Sequence, residues 1–415
     1  MNNIEIFKST SKGQVRIPAS KSDAHRKIIA ASLCFGQTSI IDNVDFSNDI
    51  NQTLEAMKNF ASIQVEGRRI IITAIKPSSK EASFNALESG STLRFLIPLF
   101  SYFFDKTTIF GTKRLLERPL SIYQDIYEDG LKISDHILLT KKIKPGNYQI
   151  RGDISSQFIS GLLFILPLLE EDSKIEIVGN YESKSYVNLT LDVLSSFGIE
   201  IEEKDHTYFI KGNQEYHSID TQVEGDYSQL AFFAVLGLIN HDVEVTNVKK
   251  DSIQGDLNII NILRSLGGKI ESTKEGYLFK KSELVGTTID LENNPDLGPI
   301  LFVLSPFCKG ETRFINTRRL RIKESDRVEA MKEELLKYGV EIKDFENEVV
   351  IKEQEVRTPK EEIDTHNDHR ILMACSILST LVGGKIKDIK CVNKSYPKFF
   401  EDLFTLGVKG VYYDR

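Results

Sequence analysis

Two carboxylates in this chain stand where they could move protons. Asp296 lies in Asn294-Pro295-Asp296-Leu297-Gly298, a turn that leads into an apolar helix rather than a solvated face. Glu324 lies in Arg321-Ile322-Lys323-Glu324-Ser325-Asp326-Arg327, a carboxylate between cations that can exchange protons with a bound substrate. Lys21, Arg26, Arg94, Arg118, Lys323, Arg327, Arg370 and Lys394 sit in or beside similar turns. Arg forks suit carboxylate and phosphate oxygens, although any one of these cations alone reads more readily as a solvated surface charge. Arg94 is harder to dismiss, because Thr92-Leu93-Arg94-Phe95-Leu96-Ile97 is otherwise apolar and a buried lone charge is costly. Ser155-Ser156 offers two hydroxyls and free N–H groups at a helix start, which suits a phosphate, and Lys21-Ser22 repeats the idea with a cation. Gly90 lets a ligand approach the backbone closely. His366, Asp368 and His369 raise a metal question, but H-x-x-H is a partial pattern with no evident third ligand, so no metal is expected. There is no G-x-S-x-G elbow, P-loop or G-x-G-x-x-G fingerprint. Chemistry here would rest on positioning and electrostatics.

These residues fall on a regular beat. Polar turns into apolar helices recur at Ala19-Ser20-Lys21-Ser22, Glu88-Ser89-Gly90-Ser91-Thr92, Asp153-Ile154-Ser155-Ser156-Gln157, Gly225-Asp226-Tyr227-Ser228, Asn294 to Gly298 and His366-Asn367-Asp368-His369-Arg370. Ser, Asp and Asn cap helix N-termini, and each such end carries about half a positive charge. A second marker, the end of an amphipathic helix followed by a strand, recurs at positions 61, 130, 198, 267, 339 and 407, spaced 69, 68, 69, 72 and 68 residues apart. Six units of roughly 70 residues are therefore predicted, each with strands, a helix, a strand and a second helix. In the third, Asn147 to Ile150 reads as a strand, Ser156 to Leu169 as a helix, Lys174 to Val178 as a strand, Tyr186 to Phe197 as a helix stopped by Gly198, and Ile199 to Glu202 as a strand. The pattern gives an α/β chain in two groups of three units, joined near Val223 to Asp226.

Bulk properties narrow the field. At 415 residues the chain exceeds one ordinary core, and 40% hydrophobic with 27% charged residues is globular composition. A net charge of −7 argues against a general nucleic-acid binder, so any anionic ligand needs a local basic cluster. Cys34, Cys308, Cys375 and Cys391 form no metal spacing and read as reduced, mostly buried thiols of a cytoplasmic protein. The longest apolar stretch, Phe158 to Leu169, holds Pro167 and is too short to cross a bilayer.

The same segments, in this order, resemble the enolpyruvyl transferase family of 3-phosphoshikimate 1-carboxyvinyltransferase (EPSP synthase). The resemblance is carried by Pro18-Ala19-Ser20-Lys21-Ser22 with Arg26, Ser89 to Arg94, Glu117-Arg118-Pro119-Leu120, Ser155-Ser156-Gln157-Phe158, Ser183-Lys184-Ser185-Tyr186, Pro295 to Pro299, Arg321 to Arg327, Asn367-Asp368-His369-Arg370 and Lys394-Ser395-Tyr396-Pro397. It implies two similar domains, each of three βαβαββ repeats (an inside-out α/β barrel), with the active site in the interdomain cleft. It places the boundaries at 1–19 plus 226–415, a discontinuous phosphoenolpyruvate and catalytic side, and 20–225, the shikimate 3-phosphate side. The implied reaction moves the enolpyruvyl group of phosphoenolpyruvate to the 5-hydroxyl of shikimate 3-phosphate, a step of aromatic amino acid biosynthesis, with no metal or organic cofactor. By resemblance Lys21, Ser22, Arg26, Ser155, Ser156, Gln157, Ser183, Tyr186, Asp296 and Lys323 hold shikimate 3-phosphate. Lys21, Gly90, Arg118, Gln157, Arg327, Arg370 and Lys394 hold phosphoenolpyruvate. Asp296 takes the proton of the attacking hydroxyl, and Glu324, helped by Lys21, protonates the methylene carbon. The expected partners are these two metabolites, with no nucleic acid or membrane, for a chain acting as a monomer. Ala19, Glu88 and Ser91 stand where members commonly carry Gly, Asn and Thr.

Two other readings compete. The sister enzyme acting on UDP-N-acetylglucosamine usually carries Cys, sometimes Asp, on the loop near Arg118 and Asn after the first Lys. Here Gly111 to Arg118 has no Cys, and Ser22 follows Lys21. A non-catalytic repeat scaffold binding an anionic partner would need neither Asp296 nor Glu324.

Overall fold

The computed structural model describes residues 2–414. Its contacts divide the chain into two compact units, one of residues 1–18 with 224–415 and one of residues 19–223.

The 19–223 unit carries three four-stranded sheets. In the second, Glu81–Asn85 pairs parallel with Lys106–Phe110, which pairs antiparallel with Ile137–Leu139, and that strand pairs antiparallel with Leu131–Ile133. The third repeats the scheme with Asn147–Arg151, Ser173–Val178, Thr207–Ile210 and Ile201–Lys204. The first takes its outer parallel strand, Asp220–Gln222, from the far end of the unit and sets it against Thr38–Asp42. A parallel pair needs a crossover. Here the crossovers are the apolar helices Gly90–Phe103 and Ser156–Ile165. Both are buried over most of their length, whereas the strands alternate buried and accessible positions. Helices therefore form the inside of the unit and sheets its outside. Phe60 anchors this interior, with ring centroids 5.1, 5.3 and 5.6 Å from Phe100, Phe103 and Phe104, each edge-on.

The other unit follows the same plan. Gly13–Arg16, Val243–Thr246, Gly276–Lys280 and Lys269–Ser272 form one sheet, and Thr288–Asp290, Glu311–Ile315, Glu348–Lys352 and Ile342–Asp344 another. Asn3–Phe7 is the middle strand of a third, between Gly384–Ile386 and Lys409–Tyr413. Its helices Tyr227–Ile239 and Gly298–Leu304 are buried at every position, as a helix apolar all round must be. Each of these sheets is open, and none closes into a barrel among the described residues.

The βαβαββ order of the repeats matches the predicted pattern, with local corrections. The helix expected from Ser156 to Leu169 ends at Ile165 and gives way to a 3-10 turn, Leu166–Leu168, because Pro167 cannot donate the next helical bond. The helix expected from Tyr186 starts at Lys184, and the strand expected from Ile199 starts at Ile201. Gly198, Gly267, Gly339 and Gly407 end their helices with φ between 82° and 94°, a left-handed cap that favours glycine. All four cysteines are buried free thiols. Among the described residues no helix is long and apolar enough to cross a membrane.

Candidate active site

In the unit of residues 1–18 and 224–415, helix starts meet at one guanidinium. Arg327 opens the Arg327–Lys337 helix, which Asp326 caps by accepting from the N–H groups of Val328 and Glu329. Its side chain is only 1% exposed and spans three carboxylates. Arg327 Nε donates to Asp368 Oδ2 at 2.8 Å, and its two terminal nitrogens donate to Asp296 Oδ1 at 2.9 Å and Glu324 Oε2 at 2.7 Å. Asp368 is itself the cap of the His369–Val382 helix, accepting from Arg370 N–H at 2.9 Å. Arg370 donates to Asp296 Oδ2 at 3.0 Å and to Ser228 Oγ at 2.9 Å, and Ser228 belongs to the turn capped by Asp226. Lys323 Nζ lies 3.3 Å from Asp296 Oδ1. Lys394 Nζ donates to the Asn367 carbonyl, which ties it to the same helix start.

Three cations and three carboxylates thus interlock, and their ionisation follows from the company each keeps. Burial pushes Asp296 up, but Arg370, Lys323 and Arg327 outweigh it and hold the carboxyl well below its usual range. Burial, with Arg319 and Arg327 adding to it, pushes Lys323 down to about 8 against the pull of Asp296 and Glu324. Arg327 is buried, yet Asp368, Glu324 and Asp296 leave it more firmly protonated than a free arginine. The cluster is a balanced, charge-assisted lattice. A di-anionic ligand would compete with its carboxylates for the same donors.

In the 19–223 unit the expected residues fall into linked groups. Arg94 is 2% exposed and donates to Gln157 Oε1 at 2.9 Å and to the Pro119 carbonyl at 3.2 Å, over the face of Phe158. Gln157 Nε2 in turn donates to Ser91 Oγ at 3.0 Å, which joins the starts of the Gly90–Phe103 and Ser156–Ile165 helices. A Cβ on Gly90 would come within 3.0 Å of both Arg94 and Arg118, so glycine is what lets the two guanidiniums approach this turn. Arg118 Nε is buried without a hydrogen-bond partner. Lys21 opens the Lys21–Ala31 helix and pairs with Asp49 Oδ2 at 2.7 Å, and the Asp49 carbonyl lies 3.5 Å from Thr92 Oγ1.

Arg26 braces helices. Its three nitrogens donate to Thr190 Oγ1 at 2.7 Å, the Ser22 carbonyl at 2.7 Å and the Tyr186 carbonyl at 2.9 Å. Burial brings its guanidinium down to about 10, opposed by Asp23 and Tyr186. Ser155 caps the Ser156–Ile165 helix through Gln157 N–H. Buried Ser183 precedes the Lys184–Ser196 helix with a left-handed backbone, φ 54°.

Some structural partners went unrecognised in the sequence. Asp368 touches Arg327 twice, and its place before a helix was the available signal. Asp49 sits in an unremarkable polar context and Ser228 in one of the recurring helix-start turns, and only the fold brings them to Lys21 and Arg370. Among the described residues the one group with metal-ligand geometry is Glu333, Glu334 and His366, which shares only His366 with the residues that raised the question. Glu334 there already accepts from Lys337 Nζ at 2.7 Å and from Asp364 N–H at 2.9 Å, so a cation would have to displace an ammonium.

Comparison with known proteins bears on the whole chain. A family model described as EPSP synthase (3-phosphoshikimate 1-carboxyvinyltransferase) matches residues 8–403. A 3-phosphoshikimate 1-carboxyvinyltransferase of Clostridium kluyveri is 42% identical over 421 residues, covering 98% of each chain. One from Clostridium perfringens is 43% identical, covering 98% of this chain and 99% of its own. Among solved structures, an EPSP synthase from Acinetobacter baumannii superposes with a TM-score of 0.80 at 22% identity, covering 99% of this chain and 100% of that one. The enolpyruvyl transferase NikO from Streptomyces tendae shares the fold at a TM-score of 0.76 and 12% identity. With its repeats, its helix-start motifs and relatives of this likeness along nearly its whole length, the chain belongs to the EPSP synthase family.

Proposed function

We propose that the chain transfers the enolpyruvyl group of phosphoenolpyruvate to the 5-hydroxyl of shikimate 3-phosphate through a tetrahedral adduct, with the Arg327 cluster as its catalytic machinery. The hydroxyl oxygen bonds to C2 of phosphoenolpyruvate while C3 gains a proton. The C2–O bond to phosphate then breaks as C3 loses a proton, which restores the double bond and releases phosphate. Glu324 supplies and recovers the C3 proton, and Asp296 receives the hydroxyl proton. Asp296 is a weak base while Arg370, Lys323 and Arg327 all face it. Anionic substrates that draw Arg370 and Lys323 onto themselves raise its basicity when it is needed. The cations then offset the charge that develops on phosphate as it leaves.

Arg327, Arg370 and Lys394 are assigned to phosphoenolpyruvate together with Lys21, Gly90, Arg118 and Gln157. Ser22, Ser155, Ser156, Ser183, Tyr186 and Lys323 are assigned to shikimate 3-phosphate with Asp296, and Arg26 serves by holding the Lys21–Ala31 and Lys184–Ser196 helices together. Lys21, held by Asp49, assists the proton transfer. The chain acts as a monomer in the cytoplasm, which sedimentation at working concentration checks. The observation that carries this reading is a buried arginine shared by Asp296, Glu324 and Asp368 at the meeting of helix starts. Phosphate release from phosphoenolpyruvate should depend on added shikimate 3-phosphate and fail with UDP-N-acetylglucosamine; release with the amino sugar would favour the sister reaction.

A further inference from the structure

We propose that His25 is a positioning residue for the helix start at Gly90-Ser91, acting through an unbroken chain of buried hydroxyls. His25 Nδ1 lies 2.8 Å from Thr53 Oγ1, and Thr53 Oγ1 lies 2.7 Å from Thr92 Oγ1. Thr92 Oγ1 donates to Ser89 Oγ at 2.7 Å, and Ser89 Oγ also accepts from Thr92 N–H at 3.1 Å as the cap of the Gly90–Phe103 helix. His25, Thr53, Ser89 and Thr92 are each no more than 1% exposed. The four residues come from three helices and one cap, so the chain sets where the Gly90-Ser91 turn lies relative to the Lys21–Ala31 helix.

Proton accounting fixes its direction. A hydroxyl has one proton to give. Thr92 spends its proton on Ser89, so Thr53 must donate to Thr92, and the Thr53 oxygen must accept from Nδ1–H of His25. The ring is then neutral, with the proton on Nδ1 and a bare Nε2. That agrees with its surroundings. Nε2 is buried without a hydrogen-bond partner, and the ring lies edge-on to Phe95 with centroids 6.5 Å apart. Burial, with Lys21 and Arg26 nearby, disfavours a second proton. His25 is therefore the donor at the head of the chain, and without it the buried Thr53 oxygen loses the partner that fixes its hydroxyl toward Thr92.

The turn so anchored matters because Gly90 sits against Arg94 and Arg118, and Ser91 Oγ receives Gln157. The inference rests on the assignment of Gly90, Arg118 and Gln157 to phosphoenolpyruvate. Loosening the anchor should weaken that substrate and spare the other.

The test is steady-state phosphate release with each substrate varied in turn, alongside thermal melting. His25→Leu and Thr92→Val should raise KM for phosphoenolpyruvate about tenfold, the scale of one lost buried hydrogen bond. KM for shikimate 3-phosphate and kcat should stay within about twofold, the ordinary range for a change remote from those contacts. His25→Asn, whose amide N–H can stand in for Nδ1–H, should restore KM for phosphoenolpyruvate to within about threefold of the parent. If His25→Leu does not fold, Thr92→Val carries the test, since it exchanges one oxygen for a methyl. Unmoved KM values, or equal rises for both substrates with a lower melting temperature, would overturn the positioning role and leave the reaction assignment standing. A parent protein that releases no phosphate would reject both.

Discussion

Lys323 is the residue whose chemistry depends most on its surroundings. Held near pH 8, it is the cation of the cluster that titrates close to working conditions. Its charged form is the one that can hold an anionic substrate, so kcat/KM should fall as pH rises through about 8, whereas Lys323→Arg should keep that limb flat to beyond pH 10. Stability has the opposite sign. The unfolded chain keeps this proton up to about 10.5 while the folded one releases it near 8, so this group adds stability with rising pH across that window. A pH–rate profile of the two proteins measures the first effect. At the same scale, the sequence showed Asp296 as a candidate because a carboxylate at an apolar helix start is conspicuous, and Lys323, Glu324 and Arg327 because their segment sets a carboxylate between cations. It could not show that Arg327 would be shared among three of its own carboxylates, because that pairing joins residues 296, 324, 327 and 368 only after the helices assemble.

Helix ends are the elements that position this chemistry. Asp368 caps one helix and neutralises the arginine that begins another. Asp368→Ala should therefore destabilise the fold by about 3 kcal/mol, a lost cap plus the lost charge-assisted bonds to a buried arginine, read from urea unfolding. Glycines at helix ends and interiors separate two physical effects. Gly339→Ala forces a Cβ into φ 82° with only ordinary contacts around it and should cost about 1 kcal/mol. Gly237→Ala puts its Cβ 2.7 Å from Phe279 Cβ inside a fully buried helix and should cost about 2 kcal/mol or more. These ends were legible in sequence, since caps and glycines act locally. The outer strand of one sheet, Asp220–Gln222, was not, because three residues carry no period and their partner, Thr38–Asp42, lies at the other end of the unit. The same holds for Asn3–Phe7 against Lys409–Tyr413, although its own alternation was visible.

At the scale of the molecule, a chain of net charge −7 must bind two anions. Net repulsion and local attraction pull in opposite directions, and the local term wins only if the cations are concentrated at the site. Salt screens exposed charges over about 8 Å at physiological strength. KM for both substrates should then rise several-fold between about 20 and 300 mM salt with kcat nearly constant, because the site attracts through charges that salt can screen. A salt titration at fixed pH reads this directly, and a fall in KM would show that the overall negative charge dominates. The sixfold repeat was visible in the sequence because every unit ends a helix and starts a strand alike.

The account turns on Glu324 as the group that protonates C3, and single turnover with Glu324→Gln tests it most directly. The amide keeps the size of the side chain and an oxygen for Arg327 but cannot cycle a proton. Formation and decay of the adduct should slow by about 100-fold or more, the range of lost acid–base catalysis, while shikimate 3-phosphate binds within about threefold of the parent. Turnover at the parent rate in that variant would contradict the account.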